Sequence, residues 1–220
     1  MGLPSEFSSK LDGLYFKYKQ CEDCALHRTR RTIVTGRGGV KERVVFVVDR
    51  FSEADCRKSS LLTSHRGDLL RSVLRTSGVG LEDIWATPAV LCPPRDGKDA
   101  KISEVKACRP RLEQELRILQ PNLIIGMGTN ALRSLFPKDT PAVNANAGRI
   151  LEAEVQGGLV QYAVPVMVTY SLAYLIKNPD TSPGGLWNKF CDHVTKAIAV
   201  SRDLTSLANN EFKLNKYFTK

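Results

Sequence analysis

Three runs of consecutive apolar residues restrict this chain more than any other feature: "RVVFVV" (43–48), "DIWATPAVLC" (83–92) and "PNLIIGMG" (121–128). Unbroken apolar character over so short a length suits a strand covered on both faces. Helical spacing follows each run. After the first comes "DLLRSVLRTSGV", with Leu69, Leu70, Val73 and Leu74 on one face and Gly78 as the stop. After the second comes "SEVKACRPRLEQELRIL", expected to start at Ser103 as N-cap with Glu104 favourable in its first turn. "TNALRSLF" follows the third. Such alternation predicts an α/β fold, a three-layer α/β/α sandwich around a central, mainly parallel sheet. A hairpin, "RILEAEV" and "VQYAVPVMV" around Gly157-Gly158, and a closing helix, "GGLWNKFCDHVTKAIAV", complete the pattern. The expected organisation is one domain over residues 1–200 and a basic tail over 201–220.

No apolar run approaches the roughly 20 residues that span a bilayer, and the N-terminal "MGLPSEFSSKLDG" lacks the apolar core of a secretory signal. An intracellular, reducing compartment (cytoplasm, nucleoid or nucleus) is expected, with no membrane partner. The formal net charge is +9, from 32 Lys and Arg against 23 Asp and Glu. That excess favours a polyanionic partner, because neutralised phosphates release condensed counterions.

The six cysteines do not read as a disulfide framework for an intracellular chain. Cys21 and Cys24 form a tight C-x-x-C; Cys92 and Cys108 lie close together much later; Cys56 and Cys191 stand alone. Two thiol pairs far apart in sequence can close a four-thiolate site that staples the N-terminal segment to the core. Thiolates in this pattern bind zinc or an iron–sulfur cluster, and the spacing leaves both open.

The context of these thiols resembles the iron–sulfur branch of the uracil-DNA glycosylase superfamily. The branch's "CxxCxLxxxR" segment is matched from Cys21 to Arg28 or Arg30. Its "VKCRPP" and "ACRPYLEQQL" segments are matched by "VLCPP" and "ACRPRLEQEL", and its "PKVIVALGRTALRALL" by "PNLIIGMGTNALRSLF". The resemblance covers Cys21 to Pro179. It implies a [4Fe–4S] cluster on Cys21, Cys24, Cys92 and Cys108, with zinc as the alternative, and a fold of the uracil-DNA glycosylase type.

The resemblance also exposes what has changed. Enzymes of this kind flip a nucleotide from the stack and read its base in a pocket. The branch's "VGEAPG" becomes "VVDRFS", which keeps a carboxylate at Asp49 and loses the glycines. In "PFVGRAGKLL", now "LLTSHRGDLL", Leu62 replaces the stacking aromatic. The edge-reading asparagine of "TNVVKC" falls on Pro88, which has neither an amide side chain nor a backbone N–H. In "TYHPAALLRNP", now "TYSLAYLIKNP", Ser171 replaces the histidine that stabilises the departing base. Serine can donate one hydrogen bond but cannot carry positive charge. Asp49 and Ser171 are the catalytic candidates if any chemistry survives.

The leading expectation is therefore a catalytically degenerate iron–sulfur protein of this fold. It would bind DNA, single-stranded or duplex, or a replication or repair partner as an accessory factor. An active glycosylase with a rewritten pocket is the second reading, and a protein-interaction scaffold without DNA binding the third. Candidate DNA contacts are Arg28, Arg30, Arg31, Arg37 and Lys41 in the run "HRTRRTIVTGRGGVKER", His65 and Arg66 in "SHRGD", and Arg149 in "NAGR". The tail's "EFKLNKYF" resembles a sliding-clamp peptide, with Leu214, Tyr217 and Phe218 as apolar anchors; a clamp or a DNA polymerase is the partner this implies.

Overall fold

In the computed structural model, residues 3–49, 51–94, 98–156 and 161–207 are described. The first element, α1 (Ser5–Lys19), is not among the helices the sequence pattern predicts, and it buries Leu11, Leu14, Tyr15 and Tyr18. A short 3-10 turn (Ala25–Arg28) leads to β1 (Arg37–Gly38) and then to β2 (Val44–Val48), buried at every position. Next come α2 (Glu53–Lys58), α3 (His65–Thr76), β3 (Trp85–Pro88), α4 (Ile102–Leu119), β4 (Leu123–Met127) and α5 (Thr129–Leu135). The chain ends with α6 (Val143–Asn146), β5 (Ile150–Gln156), β6 (Gln161–Thr169), α7 (Leu172–Lys177) and α8 (Leu186–Leu207).

The sheet order is β1-β3-β2-β4-β6-β5. Pairings β3–β2, β2–β4 and β4–β6 are parallel; β1 and β5 add antiparallel edges. Alternate β2 residues face two separate cores. Val44, Phe46 and Val48 pack with α3, α7 and α8, and Val45 and Val47 with α1, α4 and α5. The expected α/β/α sandwich is present. Because β3 lies on one side of β2 and β4 on the other, the carboxyl end of β2 is a topological switch point, where open α/β sheets form clefts.

Three local expectations are corrected. The second strand is only Trp85–Pro88, so Cys92 sits in the loop beyond it. The N-cap of α4 is Lys101, not Ser103: Glu104 Oε2 accepts from the Lys101 N–H at 2.7 Å, fixing the start two residues earlier. Helix α8 runs past residue 200 to Leu207, held by buried Ser201, whose Oγ donates to the Glu42 carbonyl, and by Arg202, paired with Glu42 at 2.8 Å. The clamp-like residues Leu214, Tyr217 and Phe218 lie outside the described residues.

A buried polar network joins the sheet to α1 and α4. Arg111 and Glu115, both without exposed surface, pair at 2.6 Å. Glu115 also accepts from Tyr15 Oη and Trp85 Nε1, each at 2.6 Å, and from Thr87 Oγ1 at 2.8 Å. Arg111 donates to the carbonyls of Pro88 and Ala89. Glu115→Ala would strand the Arg111 charge, and is expected to remove about 3–5 kcal/mol of stability. Urea unfolding measures it; a loss within ordinary surface-substitution scatter would refute the network's role.

Candidate functional site

Asp49 follows β2, Gly128 follows β4, and Ser171 follows β6, so three parallel strands deliver them to the same end of the sheet. Gly128 has φ +88°, and a Cβ there would lie 2.7 Å from Asp49 Oδ2 and 2.8 Å from Ser171 Cβ. Only glycine permits that convergence. Each polar side chain has a structural task. Asp49 Oδ1 accepts from the Asn130 N–H at 2.8 Å, capping the start of α5. Ser171 is the N-cap of α7, its Oγ accepting from the Tyr174 N–H at 3.2 Å. The Asp49 carboxylate thus caps a helix one strand away from its own.

Leu62 and Ser171, two of the positions compared in the sequence, border very little open space. Val48, Asp55, Leu62, Arg66 and Ser171 line a cavity of about 10 Å³, roughly the volume that admits one water. Leu62, in the aromatic's place, is buried at 1% exposure with φ +57°. Its carbonyl would lie 2.0 Å from a Cβ at position 67, so Gly67 is what allows the loop to close. Asp55, also buried, ties the two flanking loops together: it accepts from the Ser52 N–H at 2.8 Å and from the Thr63 N–H at 2.8 Å. Arg66 Nη1 donates to the Phe51 carbonyl at 2.7 Å, adding a third tie.

Two open clefts flank this closed pocket and share Asp49. One, about 630 Å³, is walled by Arg30, Arg31, Phe51, Arg57, Pro93 and Lys98 among others. The other, about 710 Å³, includes Arg133, Tyr170, Tyr174 and Lys177. His193 lines neither. Its Nδ1 meets Thr169 Oγ1 at 2.9 Å and burial pushes its pKa down, so it does not replace the histidine lost at 171.

The four paired-motif cysteines gather on the α1–α4 side. Cys21, Cys24, Cys92 and Cys108 border the same apolar cluster, and the charge of Cys108 is felt at each of the other three. Burial is the main cause pushing the Cys21, Cys24 and Cys92 thiols up, and the nearby Cys108 charge acts in the same direction. A cationic centre reverses that cost, since metal binding to thiols releases protons. None of the six cysteines is in a disulfide. Among the described residues, no three histidine, cysteine or carboxylate side chains stand close enough to hold one metal ion. A set of four thiols suits a soft metal centre, zinc or an iron–sulfur cluster.

The basic residues divide by location. Arg30 turns inward: Nη1 donates to the Cys21 carbonyl at 2.7 Å and to Cys92 Sγ at 3.3 Å, and Nη2 to the Lys19 carbonyl at 2.7 Å. Arg28 and Arg31 are exposed on the cysteine segment. Lys41 pairs with Asp83 at 3.5 Å and precedes β2, so the length of that strand, about 16 Å, separates it from Asp49. Arg37 sits within the sheet edge at β1. His65, exposed, and half-buried Arg66 open α3 near the closed pocket. Arg149, which donates to Asn146 Oδ1 at 3.4 Å, precedes β5 at the Asp49 end. The sequence reading missed Asp55, Arg111 and the cleft aromatics Phe51 and Tyr174; the carboxylate of Asp55 in "SEADC" is a capping-box signal that could have drawn attention.

The family model for the uracil DNA glycosylase superfamily matches residues 4–200, and the chain belongs to that superfamily. A type-4 uracil-DNA glycosylase of Archaeoglobus fulgidus is 27% identical over 172 residues, covering 77% of this chain and 84% of the relative. One from Thermotoga maritima is 27% identical over 164 residues, 74% of this chain and 81% of the relative. A DNA polymerase of Bacillus phage SP01 is 26% identical over 120 residues, 54% of this chain but 13% of the polymerase. No described helix is long and apolar enough to cross a membrane.

If Ser171 serves as a helix cap, Ser171→Ala is expected to cost about 1 kcal/mol, and Ser171→Asp to cost less. Thermal melts of the two variants decide it; equal losses would refute the capping role.

Proposed function

We propose that this member of the uracil-DNA glycosylase superfamily is a DNA-binding accessory protein of repair or replication that does not excise uracil. The observation that carries this reading is the closed pocket of about 10 Å³ behind Leu62. A flipped pyrimidine needs a pocket of its own size, and here the loops that would have to part are tied by Asp55 and Arg66. The chemical losses agree with the steric one. Pro88 offers no amide to read the base, and Ser171 supplies no cation to the leaving group, the electrostatic contribution expected to be large. The net charge of +9 and the cations of the two open clefts support DNA as the partner.

Cys21, Cys24, Cys92 and Cys108 would hold a [4Fe–4S] cluster, which when bound supplies a structural staple between the segment after α1 and the start of α4. Arg30 would then steady the Cys92 thiolate, and Arg111, 4.0 Å from Cys108 Sγ, would lie beside a second. Such a site belongs in a reducing, intracellular compartment. The relative named as a phage DNA polymerase supports a replication setting; clamp binding through Leu214, Tyr217 and Phe218 remains part of this proposal.

One observation favours an active enzyme: Asp49 survives and faces both clefts. Single-turnover excision on a uracil-containing single strand, with excess iron-loaded protein, separates the two readings. No abasic product is expected. Product that disappears in Asp49→Ala would overturn the degenerate reading. Iron and acid-labile sulfide are expected in the purified protein and should fall sharply in Cys108→Ser; zinc in their place would sink the cluster assignment.

A further inference from the structure

The open clefts carry chemistry that the closed pocket lacks. In the first, half-buried Phe51 lines the wall together with Arg31 and Arg57. In the second, Tyr174 is 40% exposed and stacks on Tyr170 with centroids 5.9 Å apart and planes 22° apart, so its outer face is presented on a backed platform. Each cleft also holds an exposed cation, Arg31 in one and Lys177 in the other, that makes no hydrogen bond or ion pair among the described residues. Arg57, by contrast, is shared with Glu53 at 3.2 Å. The two clefts meet at Asp49.

We propose that the two clefts form one path for single-stranded nucleic acid, in which Arg31 and Lys177 take phosphates and intact bases stack on Phe51 and Tyr174 without entering the closed pocket. This rests on the DNA-binding reading above and adds to it the form of the ligand. Stacking on a side-chain ring requires bases whose faces are free, which a duplex does not offer. Since every base has a π-face and the edge-reading amide is gone, binding is indifferent to base identity. Uracil has no privilege over thymine.

The test uses the full-length, iron-loaded chain, a labelled short oligothymidylate, a duplex of the same length, and an oligomer of abasic sugars. Tighter binding of the single strand is expected. Phe51→Leu and Tyr174→Leu, which keep apolar bulk but lose the ring, should each weaken it about tenfold. The abasic oligomer should bind weakly and be insensitive to both changes, while Arg31→Glu and Lys177→Glu should flatten the salt dependence. Circular dichroism checks folding; Tyr174, being exposed, is the variant least exposed to that concern. Full-strength single-strand binding in both leucine variants overturns the path while leaving DNA binding intact. Polyglutamate competing as well as the oligothymidylate also overturns it, since a bare cationic surface would behave that way. If the unaltered protein binds neither single strand nor duplex at low salt, the DNA-binding reading itself falls.

Discussion

Arg111 and Glu115 form an ion pair with no access to water, and three separate parts of the chain are arranged around it. Taking both charges out of solvent is costly, and the cost is offset because most of the remaining donors and acceptors find partners, Arg111 Nε being the exception. Those partners come from α1 through Tyr15, from β3 through Trp85 and Thr87, and from the strand-end carbonyls of Pro88 and Ala89. The thiols follow from this geometry. Cys21 and Cys24 come just after α1, Cys92 just after the tethered carbonyls, and Cys108 one turn before Arg111 on α4. The network thus ties the three cysteine-bearing segments to one another through protein contacts.

A second buried carboxylate plays the matching part on the other side of the switch point. Asp55 fixes the loop after β2 to the loop before α3, and Leu62 fills the gap between them. The two tethers differ in consequence. The Arg111 network joins α1, β3 and α4, whereas the Asp55 ties hold two loops together and leave almost no space beside Leu62. Clefts lie on either side, one bordered by Phe51 and the other by Tyr174.

The parallel core is legible in the sequence because strands covered on both faces must be apolar at every position, as Val44–Val48 and Leu123–Met127 are. That Cys21, Cys24, Cys92 and Cys108 border one apolar cluster agrees with their spacing as two pairs. Helix α1 is not legible, since its apolar face is short and its burial depends on a tyrosine finding Glu115 a hundred residues away. Arg30 shows the other limit. As one of several arginines in a basic run it reads as a phosphate contact, and only the fold reveals that its guanidinium turns toward Cys92. Lys41, in the same run, lies at the opposite, amino end of β2 because a whole strand intervenes.

Leu62 combines a left-handed backbone with a buried side chain, and it depends on the missing Cβ of Gly67 for room. Backbone held in that region carries a cost of roughly 1–3 kcal/mol that the surroundings must offset. A larger side chain at 62 would have to part loops that Asp55 holds together, and loosening Asp55 alone would weaken the fold. The two positions are therefore coupled: reshaping this end of the sheet takes concerted substitutions, and single changes there register first as lost stability.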